Sequence, residues 1–467
     1  MSKILLRGDF RELWNKNWRE NLFAPVDISS IILFRIAFGG IMLWEVTRYF
    51  KYNWIYRYWV EPAFNFSYGP FNFQPLPEQW MYLLWYALGT LAVFIAIGFL
   101  YRISTVLFFL GFTYTFLLEQ GRYLNHFYLV VLISFILIFI PANRYFSIDA
   151  LLWKNKKSPL IESWCLWLVR FLIGVPYFFG AVAKINPDWL QGYPLKLWLS
   201  SDTDFPIIGQ FFTEYWMILF MSYSGLLLDL LVVPALLLKR TRLPAYFIIT
   251  LFHLMNAEMF SIGIFPWFMM LATTIYFDPD WPRKPFIKLS SKPTQLGSQA
   301  LATFNQLQNP KWHRFTTICL SLFVALQVFL PLRHWLIPGN VHWTEEGHRY
   351  SWHMKLRSKS GATQFFVRNN ANGELISINL EGYIEPWQIN DMDGKPYMIW
   401  NFAQFLKEEY KLMGADVGVF VEAHASLNGR QYQRIIDRNV DLTTVSLPLF
   451  TYADWIIPLE VELEQQR

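Results

Sequence analysis

Tyr177-Phe-Phe-Gly-Ala-Val-Ala-Lys184-Ile-Asn-Pro-Asp-Trp-Leu-Gln-Gly-Tyr193 is the stretch on which the reading of this chain turns. An apolar run of membrane-spanning length ends here in a single lysine. Asn186-Pro187-Asp188 follows at once, so the helix is expected to stop where the ammonium emerges. That places one amine at a membrane boundary. Taken alone, the segment predicts that Lys184 snorkels from a span end to the headgroups. The rest of the chain supplies a second reading.

The 467 residues are 54% hydrophobic, 19% aromatic and only 16% charged, a composition that excludes an ordinary soluble globule and fits a multi-span membrane protein. Its 22 Trp and 24 Tyr suit interfacial belts. The net charge of +5 is spread between loops, with no basic run interleaved with aromatics, so no nucleic-acid partner is expected. Cys165 and Cys319 both fall inside apolar runs, which leaves neither a disulfide framework nor a thiolate metal site. The first 28 residues lack an apolar core with a cleavage site, so no signal peptide is expected.

Apolar runs long enough to cross a bilayer fall at 30–49, 80–100, 103–119, 124–141, 163–183, 211–238 and 315–332. The run 243–277 would make a single helix of about 50 Å against a hydrocarbon core of about 30 Å. Asn256 to Gly263 interrupts it, so two shorter crossings or a re-entrant pair are expected. Bases concentrate in the N-terminal tail (Lys3, Arg7, Arg11, Lys16, Arg19), in 142–162, in 239–242 and in 278–314. The positive-inside bias then places the N-terminus in the cytoplasm and the C-terminal region outside. The fold class is thus an α-helical polytopic membrane protein of about eight or nine spans with a C-terminal extracytoplasmic α+β domain. Its divisions are a cytoplasmic tail 1–28, a helical domain 29–335 and the outer domain 338–467, with 288–310 as a mobile cytoplasmic loop. Alternating runs at 350–356, 364–368, 375–380, 416–424 and 429–437 predict strands, and 399–413 predicts a helix.

This topology gathers polar groups. Asn125 and His126 begin the fourth span at its outer end, Lys184 finishes the fifth, and His253 and Asn256 share a helical face just before the break, with Glu258 beyond. A lone intramembrane His or Asn is usually an interhelical hydrogen-bond partner, but several beside an interrupted helix make a candidate site. Arg35, Arg170 and Asp229 fall in the cytoplasmic halves of their spans and predict a structural ion pair. Glu45 is a weaker candidate. His342, His348 and His353 match no common zinc spacing, so no metal site is expected.

Tyr177 through Tyr193 resembles the segment of the vitamin K-dependent gamma-glutamyl carboxylase family that carries the catalytic base. Further segments resemble that family in order: Tyr101-Arg-Ile-Ser104, Asn125-His126, Ser147-Ile-Asp149, Leu226-Leu-Leu-Asp229, Phe252-His253 with Met255-Asn256, Phe260 to Phe265, Tyr350-Ser-Trp352 with Met354, and Arg434-Ile-Ile-Asp437. The resemblance implies a membrane enzyme that oxidises vitamin K hydroquinone (or menaquinol) to its epoxide with O2 and adds CO2 to the gamma carbon of protein glutamate. It implies Lys184 as the base, with His126 and Asn125 in positioning and proton chemistry. His253, Asn256 and Phe260 would contact the quinone. Tyr350, Ser351, Trp352 and Met354 would bind a glutamate-containing peptide or protein. No metal is implied. The family's paired lysines stand here as Ala183-Lys184, and a shorter, bacterial-type homologue in an inner or plasma membrane fits, the ER membrane if the source is eukaryotic. A quinol epoxidase without peptide carboxylation and a non-catalytic receptor or carrier stay open as alternatives.

Overall fold

In a computed structural model, described for residues 18–69, 72–260, 262–284, 294–448 and 451–463, six helices are long and apolar enough to cross a membrane. We label α1 (Ser29–Lys51), α2 (Glu78–Ile97), α3 (Tyr101–Leu117), α4 (Asn125–Phe139), α5 (Ser163–Lys184), α6 (Pro187–Leu190), α7 (Leu195–Leu199), α8 (Tyr215–Leu237), α9 (Arg242–Phe260), α10 (Phe265–Thr273), α11 (His313–Leu332) and α12 (Pro396–Leu412). The six are α1, α2, α5, α8, α9 and the longer stretch around α11; α3 and α4 are shorter apolar helices. The run 243–277 is divided, as its length required, but Asn256 lies inside α9 and the turn sits later, at 262–264 before Phe265-Pro266 opens α10. The basic tail through Lys16, Lys288 and Lys292 lie outside the described residues, as does Ser261. Within 288–310, Thr294–Leu307 is helical rather than a loop.

One face of the bundle is closed by a two-stranded ribbon, β1 (Pro25–Asp27) with β2 (Leu160–Glu162), and Asp27 is paired with Arg283. The opposite end carries the α+β region. There β3 (Lys359–Asn369), β4 (Leu375–Ser377), β5 (Val417–Leu427) and β6 (Gln433–Arg434) form an antiparallel sheet in the order β4-β3-β5-β6. The long pair runs from Lys359 opposite Leu427 to Asn369 opposite Val417. Alternate residues Val417, Val419, Val421 and Ala423 are buried, and Phe402 and Leu406 of α12 complete that core. Glu119 fastens the region to the bundle, accepting from the Phe66 N–H and from the Asn65 and Gln388 side-chain amides. Asn65, the acceptor of a glycosylation tripeptide in the sequence, is therefore buried.

Two expected strands are corrected. The stretch 350–356 is a run of turns in which Tyr350, Trp352 and Lys355 take φ of 64°, 60° and 52°. Its alternation reports packing on a neighbouring helix: the rings of Tyr350 and Trp352 both lie against Tyr128, at 4.9 and 5.1 Å. The stretch 429–437 shrinks to β6 and one bridge, Ile436 opposite Ile456.

Candidate active site

Helix α5 ends at Lys184, and the Asn186 side chain then accepts from the Trp189 N–H to start α6 over Pro187. The chain does not leave the bundle at this point. Trp189 Nε1 donates to the Ser222 carbonyl (3.0 Å) and the Ser222 hydroxyl returns to the Trp189 carbonyl (2.5 Å), so α6 continues alongside the first half of α8. The same antiparallel register brings Asp229 to Lys184, with Nζ to Oδ2 at 2.6 Å. Asp229 stands fourteen residues into α8, about 21 Å below that helix's first residue at 1.5 Å per residue. Lys184 is therefore an interior group, 6% exposed, and not a snorkelling one at the rim. The expected ion pair among Arg35, Arg170 and Asp229 does not form. Arg35 donates to the carbonyls of Ala142 and Phe146, and Arg170 to those of Ile275 and Phe277.

Lys184 and Asp229 stand in the wall of a cavity of about 530 Å³. Most of its lining is apolar, from Leu228, Leu251, Phe252, Phe260, Phe265 and Met269 among others, and His253, Asn256 and Met354 also face it. The Lys184 ammonium also lies over the Trp189 ring, 5.2 Å from its centroid. His253 is held by a 2.7 Å hydrogen bond between Nε2 and the Tyr177 hydroxyl, which is 3.3 Å from the Thr273 hydroxyl. Lys184, His253, Asn256, Phe260 and Met354 are thus brought together.

The other expected site residues lie around this cavity. His126 is screened from it by one ring: Phe265 stands 5.8 Å from the His126 ring and 6.1 Å from that of His253. Asn125 donates to the His353 carbonyl (3.1 Å) and faces a second cavity, of about 210 Å³. Lys355 faces both. Tyr350 faces a third cavity of about 310 Å³, shared with Arg349 and Tyr397. Ser351 and Trp352 are buried, the former bonded to the Gly347 carbonyl (2.6 Å) and to Arg333 (3.1 Å), so they shape the turn rather than line a cavity wall. Glu45 is paired with Arg48 at 2.6 Å, and Glu258 is exposed.

No site role could be assigned to four groups from the sequence. Asp229, Tyr177 and Lys355 needed the register between helices or the path of the turn. The imidazoles of His342, His348 and His353 come within 4.8 Å of one another, although their spacing had given no reason to join them.

A model of the HTTM domain matches residues 23–281. A second, described as the vitamin K-dependent gamma-carboxylase lumenal domain, matches residues 312–462. No solved structure matches the chain.

Proposed function

This chain belongs to the vitamin K-dependent gamma-glutamyl carboxylase family and is a multi-pass membrane protein, and from that premise we propose that it carboxylates protein glutamate at the expense of a reduced quinone. The observation that carries the reading is the Lys184–Asp229 pair in the wall of an apolar cavity that reaches Met354. A cavity of about 530 Å³ falls in the range that holds a fused-ring ligand, and its apolar wall with few polar groups suits a naphthoquinol ring. Bound there, vitamin K hydroquinone with O2 supplies the base strong enough to take the gamma proton of glutamate and finishes as the epoxide.

The chain's own part begins with a proton. Within the 2.6 Å hydrogen bond, transfer from Lys184 to Asp229 turns an ammonium and a carboxylate into a neutral amine and a neutral acid. The amine then takes the hydroxyl proton of the quinol, which leaves an ammonium and a neutral carboxylic acid beside the quinolate anion. An isolated buried amine would need burial alone to keep it neutral; here a carboxylate serves as the proton store. His253 and Asn256, which line the same cavity, orient the ring. Lys355, facing the cavities on both sides of the turn, is the cation placed for the glutamyl carboxylate, and Asn125 holds that turn through the His353 carbonyl. Phe265 and its neighbours exclude water from the reacting groups. On this reading the α+β region is extracytoplasmic, the N-terminus is cytoplasmic, and a peptide enters from the aqueous side while the quinol enters from lipid.

Reduced vitamin K, 14C-bicarbonate and a glutamyl peptide given to the purified protein test this. Label in the peptide together with epoxide, both lost in Lys184→Ala and reduced in His126→Ala, is the expected result. Epoxide without label would restrict the activity to quinol oxidation. Neither product from the wild-type protein would overturn the enzymatic reading in favour of a receptor or carrier.

A further inference from the structure

The three imidazoles of His342, His348 and His353 lie beneath the α+β region, beside the turn that holds Ser351 and Trp352. They are 5%, 8% and 5% exposed, and their candidate ligand nitrogens all lie within 4.8 Å of one another. The ring centroids are 5.0 to 6.0 Å apart. Buried ring nitrogens are normally hydrogen-bonded, because a bare one has lost its water without replacement. Here Nδ1 of His342 and both ring nitrogens of His353 have no hydrogen-bond partner. Packing alone gives no reason to collect three buried imidazoles, two of them with unpartnered nitrogens, within 4.8 Å of one another.

We propose that His342, His348 and His353 bind a divalent transition-metal ion of the Zn2+ class. Three neutral imidazoles make a donor set suited to Zn2+, with Cu2+ and Ni2+ as competitors, and unsuited to Mg2+ or Ca2+, which prefer oxygen. Burial holds all three imidazoles in the neutral form that carries the lone pair, His342 at about 3 and the other two well below the ordinary histidine value. Nearby charges are already matched: Glu345 is paired with Arg357, and Asp188 with Arg430 at 2.7 Å. The ion has a path in, because His348 and His353 border the cavity of about 210 Å³. His334 stands next to the cluster, 4.8 Å from the His353 ring. Its Nδ1 meets the Pro331 carbonyl at 2.8 Å, and a carbonyl only accepts, so Nδ1 carries the hydrogen and Nε2 keeps the lone pair. The fourth position falls to a water or to this ring.

The ion would have a mechanical task. Glu345, Tyr350, Trp352 and Lys355 all hold positive φ, at 66°, 64°, 60° and 52°, in a conformation that L-residues avoid. A metal tying His342 to His353 would clamp the two ends of that segment, and with it the neighbours Met354 and Lys355 that face the large cavity.

The test uses the full-length protein in detergent, purified on a tag without histidine, stripped with EDTA and reloaded with Zn2+. Metal content by mass spectrometry is expected at about one ion per chain, with a raised Tm and slower proteolysis between residues 342 and 356. Metal content is expected to be lost in His342→Ala and in His353→Ala. Content at background in the wild-type protein, or undiminished in both variants, would overturn the proposal. Should either variant fail to fold, Co2+ on the stripped wild-type protein decides. Visible bands of a nitrogen-ligated ion of low coordination number support the site, and the pale spectrum of the hexa-aquo ion rejects it.

Discussion

Two kinds of buried cation stand in the same helical bundle. Arg35 and Arg170 spend their guanidinium hydrogens on backbone carbonyls, Ala142 and Phe146 for one, Ile275 and Phe277 for the other. Tyr276 reinforces the second contact by donating its hydroxyl to the Arg170 carbonyl at 2.6 Å. Lys184 instead meets a carboxylate, at 2.6 Å, in a cavity wall. A carbonyl cannot take a proton and leave with it, so an arginine held by carbonyls ties chain segments together and does nothing else. A lysine facing a carboxylate has two protonation arrangements of similar charge, and open space beside it for a substrate. Whether a buried cation is structural or chemical is thus decided by what it is bonded to, and depth alone does not tell.

The largest effect should come from breaking the second kind. Lys184→Ala is expected to lower epoxidation by about 10²- to 10⁴-fold, the usual worth of a positioned base. It also leaves Asp229 buried without its counter-ion, so expression and Tm should fall. Adding Asp229→Ala removes the orphaned charge, and the double variant is expected to regain thermal stability without regaining epoxide formation. Recovery of activity along with stability would make the pair a mere strut, like the arginines.

Arg170→Leu probes the first kind. Two buried carbonyls lose their donor, and the cost is expected near 3 kcal/mol, read as a lower midpoint in thermal unfolding. Epoxidation per folded molecule should be unchanged. A drop in turnover with normal folding would dissolve the distinction between the two classes of cation.

The end of α5 at Lys184 was legible because Asn186-Pro187-Asp188 both stops one helix and starts the next, a signal contained in three residues. The broken segment was legible from its length. Asp229 was misassigned, since counting residues along a span gives depth only if each helix runs the full thickness, and α5 gives way to α6 and α7 while α8 continues. The turn 350–356 imitated a strand because Tyr350 and Trp352 alternate onto one ring, Tyr128. The histidine trio was visible as three residues but set aside on spacing, because their convergence depends on positive-φ residues in a turn that the side-chain pattern does not encode.

A smaller and pH-dependent test lies where the α+β region grips the segment after Lys184. Asp188 receives two 2.7 Å bonds from Arg430 and one, also 2.7 Å, from the Asn428 amide. Burial works against the charged carboxylate, but these donors and the guanidinium charge outweigh it and hold its pKa below 3.8. A group with a depressed folded pKa stabilises fully above its unfolded value and loses that contribution as pH falls through the folded one. Acidification below pH 3.8 should therefore loosen this seam, and Asp188→Asn, expected to cost about 2 kcal/mol, should remove that part of the acid sensitivity. Unchanged acid sensitivity in the variant would place the titrating group elsewhere.

The smallest expected effect asks to which class His253 belongs. Its Nε2 is bonded to the Tyr177 hydroxyl at 2.7 Å, and that oxygen has Thr273 within 3.3 Å as a possible donor to it. If Thr273 donates to Tyr177 and Tyr177 to Nε2, the imidazole is fixed as the Nδ1–H tautomer, and its role is to hold an orientation, as the carbonyls hold Arg170. Tyr177→Phe removes one buried hydrogen bond, worth about 1 kcal/mol, or about fivefold in an equilibrium constant. The loss should appear in the KM for the quinol with turnover nearly unchanged, because a weaker grip on the ring affects binding and the later steps alike. A fall in turnover of the size expected for Lys184→Ala, with KM unaltered, would move His253 across the divide and make it a carrier of protons.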